Sequence, residues 1–237
     1  MAPSRQKIWV SKAAEALLAL LFPPKCPFCR RLLAEGEDLL CPECQRELPW
    51  TQGEQGKRKV EFSAGCIAPL WFQDRCREAV HRFKFRGMQC YSEPFSTLMA
   101  QCARDRLSGT FDLVTWVPVS RRRRWERGYD QGELLARGVA RELELSFAVT
   151  LRKIRHNKKQ SLLTGAAARR ANVLGAYAVR DAALVRDKRV LLVDDVVTTG
   201  ATLGECARML RTAGAREVVC LALTMAGQDE RAAGKKV

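Results

Sequence analysis

The sequence predicts an α/β protein: a parallel sheet flanked by helices, preceded by a small cysteine module. Three observations carry that prediction. The stretch "RVLLVDD" (189–195) is almost continuously apolar up to its acids, as in a central strand buried on both faces. The stripe-bearing "ATLGECARMLRTAGA" (201–215) and the apolar "EVVCLALTMA" (217–226) follow at once, so strand, helix and strand form a βαβ unit. Near the N-terminus "CPFC" (26–29) and "CPEC" (41–44) repeat the same dipeptide-spaced pair of thiols.

In chain order, the apolar run 13–22 follows Lys7 and Lys12, contains Glu15 and lacks a small-residue cleavage pattern. It is shorter than the ~20 apolar residues of a spanning helix. A short amphipathic helix is expected, with no stable membrane insertion and a cytoplasmic location. The first element group, 1–50, is thus a helix and a cysteine module. The polar stretch 51–61 reads as a linker, 62–228 as the α/β domain and 229–237 as a solvated tail. Within the domain, 67–72 reads as a strand, and 77–87 as a helix closed by Gly87. A second helix is expected over 92–107, with Ser92 as N-cap and Pro94 in its first turn. A strand follows over 111–119 and a helix over 132–143, in which Leu135, Val139 and Leu143 share a face. The helix 201–215 buries Leu203, Ala207 and Leu210 and closes at Gly214.

Composition is that of an ordinary globular chain, 47% hydrophobic and 28% charged over 237 residues, apart from a net charge of +15. Such a charge suits an anionic partner: nucleic acid, a polyphosphate or a membrane surface. The spacing C-x2-C-x11-C-x2-C lets Cys26, Cys29, Cys41 and Cys44 converge as a tetrahedral thiolate site for one Zn²⁺. A redox pair would occur once, at a helix start, and not in tandem. Four thiolates leave no open coordination position, so the zinc is expected to be structural and to supply most of the module's folding free energy. The other cysteines, 66, 76, 90, 102, 206 and 220, read as reduced core residues.

Two regions bear directly on chemistry. In "VLLVDDVVTTGAT" (190–202), Asp194 and Asp195 close a strand and a loop of small and hydroxyl residues opens a helix. Backbone N–H groups at such a helix start attract phosphate, and small residues allow its close approach. The acids, one step back, are placed to accept from sugar hydroxyls. Two adjacent carboxylates repel, so a ligand or cation is expected between them and solvent. The loop is neither a P-loop nor a GxGxxG fingerprint. The second region is basic. Arg121 to Arg124 follow Ser120 at a strand end, and 151–180 holds Arg152, Lys153, Arg155, Lys158, Lys159, Arg169, Arg170 and Arg180 without one acid. Its first half, with no clear period, is expected as a lid or a nucleic-acid contact. His81 and His156 read as exposed polar residues, not as catalysts.

The stretch 190–202 resembles the signature of type I phosphoribosyltransferases, which bind 5-phosphoribosyl-1-pyrophosphate (PRPP). That resemblance implies a phosphoribosyltransferase-like sheet, with Asp194 and Asp195 as catalytic acids along the ribose. Val196, Thr198, Thr199, Gly200, Ala201 and Thr202 would complete the ribose and 5-phosphate site. It further implies Mg²⁺ arriving with PRPP, and Ser120 and Arg121 as first candidates for the pyrophosphate. The order double CxxC, "FKFRG" (83–87), "VPVSRRRRWERGYDQGELLA" (117–136), "RRANVLGAYAV" (169–179) and diacid resembles the ComF-type competence protein family across almost the whole chain. Tyr129, Asp130 and Ser120 stand where that family commonly has Phe, Asn and Pro. The resemblance implies a zinc-bearing, PRPP-binding protein linked to natural transformation, with single-stranded DNA and a DNA-processing protein as partners. Three functions remain open: a PRPP-dependent transferase of unnamed acceptor, a nucleic-acid binder that keeps the pocket as sensor or relic, and a regulator whose zinc module docks a protein. Trp125 and Tyr129, interleaved with arginines, are candidates for stacking on bases.

Overall fold

In the computed structural model the described residues are 23–37, 39–155 and 171–227. The apolar run 13–22, most of the expected lid (Lys158, Lys159, Arg169 and Arg170 included) and the tail lie outside them. The chain divides into two compact units, 1–47 and 48–237.

Described from the first unit are a tight turn over 26–30 and a short helix, α1 (Pro42–Glu47). The second unit is built on one sheet. Its strands are β1 (Lys57–Arg58), β2 (Cys66–Ile67), β3 (Leu70–Trp71), β4 (Leu113–Trp116), β7 (Arg189–Val197) and β8 (Glu217–Met225), in the order β1-β2-β8-β7-β4, with β3 also on β8. Between β4 and β7 in sequence, β5 (Leu151–Lys153) and β6 (Tyr177–Val179) form a separate antiparallel pair. In the main sheet, among the described residues, the strand pairings of β8 and β7 are parallel and the edge pair β1–β2 is antiparallel.

The expected strand 67–72 is present in two pieces with one register, Cys66 opposite Cys220 and Leu70 opposite Thr224. Pro69 lies in the gap and has no N–H to give the ladder. The stretch 51–61, read as a linker, carries a 3₁₀ turn and β1, with Arg58 and Val60 buried.

The helices complete within the described residues of this unit are α2 (Asp74–Phe85), α3 (Ser92–Arg106), α4 (Arg121–Arg127), α5 (Gln131–Glu142) and α6 (Ala201–Thr212). Each covers a helical segment or basic stretch singled out in the sequence, with ends shifted by a few residues. Ser92 is the first helical residue, and Tyr91 is the N-cap. Residues 190, 192, 218, 220 and 222, alternate positions on β7 and β8, pack with Leu203, Cys206, Ala207 and Leu210 of α6. The residues between them, such as Leu191, Val193, Val219 and Leu221, point to the other face and are equally buried. Strands buried on both faces explain why β7 and β8 read as unbroken apolar runs. Each such Leu or Val contributes about 1.5–3 kcal/mol by leaving water.

Helices α3 and α5 pack on each other. At Gly138 a Cβ would lie 2.1 Å from Ser96 Oγ, so only glycine permits that approach. Of the six scattered cysteines, all are buried except Cys90, which is exposed.

Candidate functional site

In the first unit, the Sγ atoms of Cys26, Cys29, Cys41 and Cys44 all lie within 4.8 Å of one another. Zn–S bonds of ~2.3 Å in a tetrahedron require sulfurs about 3.8 Å apart, so the four thiols fit the ion. The 26–30 turn brings Cys29 close by returning Arg30 N–H to the Cys26 carbonyl at 2.9 Å, with Arg30 in the left-handed region (φ 69°). Cys41 immediately precedes α1, and Cys44 N–H points at its sulfur at 3.4 Å. These are the backbone-to-sulfur contacts that thiolate ligands attract.

In the second unit the diacid lies toward the C-terminal end of β7, where parallel strands deliver their side chains to ligands. Asp194 and Asp195 are half-buried. Asp194 Oδ1 accepts the Asp195 N–H at 2.9 Å. Burial, and then the Asp195 carboxylate beside it, push Asp194 up to about 8, against an ordinary value of 3.8. A raised proton affinity on Asp194 is the response that burial beside a second carboxylate produces. Asp195 has a counter-ion: Lys84 Nζ lies 2.8 Å from its Oδ1.

The phosphate-type loop follows directly. Thr198 to Gly200 bend away from the sheet, and Gly200 caps α6 in the left-handed region (φ 78°). A Cβ there would lie 3.0 Å from Val60 Cγ2, so both conformation and space call for glycine. Thr199 Oγ1 is 3.4 Å from Ala201 N. Val196, Thr198, Thr199, Ala201 and Thr202 are all half-buried at this end of the sheet. Arg58, from β1, holds the loop's root: its guanidinium donates to the carbonyls of Val197 (2.9 Å), Thr198 and Ala226.

The loop after β4 is held from below. Ser120 is buried and caps α4, accepting from Arg123 N at 3.3 Å, whereas Arg121 is exposed. Asp130 caps α5 and also accepts the Val119 N–H at 3.0 Å, locking the 117–120 segment to the helix. Tyr129 is buried, with its hydroxyl on the Phe83 carbonyl, and Gln131 Nε2 donates to the Lys84 carbonyl at 3.4 Å. Arg127 donates to Gln131 Oε1 at 2.7 Å and lies 4.7 Å from the Phe85 ring centroid. Burial pulls Arg127 below its ordinary value. The motifs "FKFRG" and "WERGYDQ" therefore form one assembly beside Asp195.

Of the basic stretch, Arg152 and Lys153 lie on β5, which was expected as loop, and exposed Arg155 donates to the Leu174 carbonyl at 3.0 Å. Lys153 Nζ is 3.3 Å from the Tyr177 hydroxyl across the β5–β6 pair, and burial pushes it down to about 8. Lys84, Arg58 and Arg127 were not singled out as site residues from sequence. The available signals were the position of Lys84 within "FKFRG" and of Arg127 within "WERGYDQ".

The phosphoribosyl transferase domain family matches residues 130–237, and the double zinc ribbon domain family matches residues 17–57. With the parallel sheet and the four-cysteine cluster, these make the chain a type I phosphoribosyltransferase-fold protein carrying a zinc-binding ribbon. Competence protein F of Haemophilus influenzae is 27% identical over 82% of this chain and 93% of its own length. The DNA utilization protein YhgH of Escherichia coli is 31% identical over 84% of each chain, and competence protein ComFC of Bacillus subtilis 31% over 80% and 72%. The chain belongs to this competence protein F/ComFC/YhgH family. Among solved structures, an allosteric regulatory enzyme of purine biosynthesis aligns over 56% of this chain and 26% of its own, at 26% identity and a TM-score of 0.40. No helix among the described residues is long and apolar enough to cross a membrane.

Proposed function

We propose that this protein binds PRPP at the diacid end of β7 and works in the cytoplasm in the handling of incoming DNA; its relatives are named for competence and for DNA utilization. The observation that carries the proposal is the juxtaposition of two half-buried acids with a left-handed Gly200 that opens α6. Asp194 and Asp195 accept from the ribose hydroxyls, and the N–H groups of residues 199–202 with the hydroxyls of Thr198, Thr199 and Thr202 hold the 5-phosphate. Mg²⁺, bound with the ligand, supplies charge neutralisation at the pyrophosphate. Ser120 positions the 117–120 turn from its cap, and Arg121, exposed beside it, is free to meet the pyrophosphate. Arg152, Lys153 and Arg155 remain candidates for anion contact in this proposal, and Lys158, Lys159, Arg169 and Arg170 lie outside the described residues. The four-cysteine module is read as structural, and the transferase-like domain as starting before residue 62, because β1 and Arg58 belong to its sheet.

Such a site lowers the barrier to displacing pyrophosphate from the anomeric carbon by fixing the sugar and by stabilising the leaving charge. Isothermal titration of PRPP with Mg²⁺ tests the reading. Asp194→Asn and Asp195→Asn are expected to weaken binding at least tenfold, and undiminished affinity in both variants would sink the assignment.

A second reading, nucleic-acid contact, has its own observation. Trp125 is 86% exposed on α4, among Arg121, Arg122 and Arg124, all exposed. An aromatic face among cations suits stacked bases and their phosphates. Tyr129, the other candidate, is buried and cannot stack. Binding of a labelled oligothymidine should fall about fivefold or more in Trp125→Ala while its salt slope stays the same. A variant that binds like the parent removes this reading.

A further inference from the structure

At the end of β8 away from the acids, the second unit holds a cavity that the sugar-phosphate reading leaves unused. Glu217 opens β8 opposite Arg189, whereas Asp194 pairs with Ala222, about 17 Å further along the strand. The cavity has a volume of about 620 Å³, and Phe62, Ser63, Arg211, Arg216 and Glu217 are among the residues that line it. A space of that size suits a small ligand. We propose that it is a second ligand site, for a nucleoside 5′-phosphate whose base stacks on Phe62 and whose phosphate meets Arg211 and Arg216.

Phe62 sits where a glycine would be at ease. Residues Val60 to Ser63 form a turn closed by the Ser63 N–H on the Val60 carbonyl at 3.3 Å, and its third residue is Phe62, at φ 61°. Glycine and asparagine adopt that conformation readily, whereas a bulky side chain is strained there. Neighbouring bonds enforce it. Ser63 Oγ donates to the Val60 carbonyl at 2.9 Å and accepts the Gly65 N–H at 3.1 Å, and the Ala64 N–H reaches the Val218 carbonyl at 2.9 Å. Packing of the ring does not explain the strain, because Phe62 is 55% exposed. A strained, exposed ring at the mouth of a cavity is placed as a stacking platform for a base.

The same lining supplies the cations. Arg211 Nη1 donates to the carbonyls of Ala215, at 2.7 Å, and Arg216, which fixes its guanidinium through one nitrogen. Arg216 meets Asp112 at 3.5 Å with both side chains exposed, a weak tie that a phosphate can outcompete. Glu217 is neutralised by Arg189, whose Nε donates to it. Two guanidiniums beside a compensated acid favour a phosphate over a neutral ligand.

Isothermal titration of the full chain with deoxyadenosine 5′-phosphate tests the proposal, with ribose 5-phosphate in excess to occupy the acid end of β7. In Phe62→Gly, which removes the ring and suits the turn, affinity should fall about tenfold or more, as expected for one lost stacked base. Its Tm should stay level or rise, because glycine relieves the left-handed strain. Arg216→Gln should weaken the nucleotide several-fold and leave deoxyadenosine unchanged. A Phe62-dependent response to the mononucleotide identifies a free nucleotide as ligand, and one confined to an oligodeoxyadenosine strand identifies a nucleotide within a single strand. Binding of neither, or undiminished binding in Phe62→Gly, overturns the proposal. So does a fall in Tm of more than about 5 °C in that variant, which would make the ring a packing residue.

Discussion

Replacing Arg58 by Met keeps an apolar stem in place and deletes the guanidinium. In the structure that group, 7% exposed, donates to three carbonyls, those of Val197, Thr198 and Ala226. These are the outgoing ends of the two central strands, β7 and β8, so one side chain ties both strand ends to the edge strand β1. Leaving a buried carbonyl unpaired costs about 1–3 kcal/mol. The Val197 carbonyl keeps the Ala226 N–H at 2.9 Å and half-buried Thr198 regains water, so the Ala226 carbonyl is the main orphan and a total of about 1–3 kcal/mol is expected. For a unit of this size that corresponds to a fall in Tm of about 6 °C. Urea denaturation followed by near-ultraviolet circular dichroism measures it, and affinity for ribose 5-phosphate should drop as well, since the loop's root is released. Arg58→Lys should recover only part of the loss, because one ammonium cannot reach all three acceptors in the same geometry. A loss below about 1 kcal/mol in Arg58→Met would refute the account of Arg58 as the clamp of the site.

The Asp194 carboxyl makes a pH-dependent contribution of calculable sign. Its folded value, about 8, lies above its ordinary 3.8, so the folded state binds the proton more tightly. The associated stability is complete below about pH 4 and erodes as pH rises toward 8. Asp194→Asn, always neutral, should therefore become steadily more stable than the parent between pH 5 and pH 8, by at most about 1.4 kcal/mol per pH unit. A parent-minus-variant difference that is flat across this range contradicts the buried protonated acid. For the zinc ribbon, metal analysis should find one zinc per chain, and Cys41→Ser should reduce it several-fold. A strong chelator should unfold the first unit and open it to protease while the second keeps its unfolding transition; an unchanged digestion pattern would contradict a folding role for the metal.

What was legible in the sequence was what lies within a few residues. The βαβ unit showed because strands buried on both faces and a helix buried on one leave different periods in the chain. The thiol cluster showed because a C-x2-C turn brings two sulfurs together by local geometry, and the diacid with its small-residue loop because strand end and helix start are contiguous. Helix ends, the break at Pro69 and the strand in 51–61 were less legible, since edge pairing depends on a partner distant in sequence.

Tertiary structure alone decided the site's charge balance. Arg58 and the Val197 carbonyl are 139 residues apart, and no local period links them. Lys84 became the counter-ion of Asp195 only when α2 was fastened to the 129–131 segment beside β7. The same folding buried Tyr129 and left Trp125 in solvent, although both stood among the same arginines in the sequence. The chain's local chemistry determined which groups could bind a phosphorylated sugar. Their neutralisation depended on long-range packing, because charges pair through space while sequence patterns report only neighbours along the backbone.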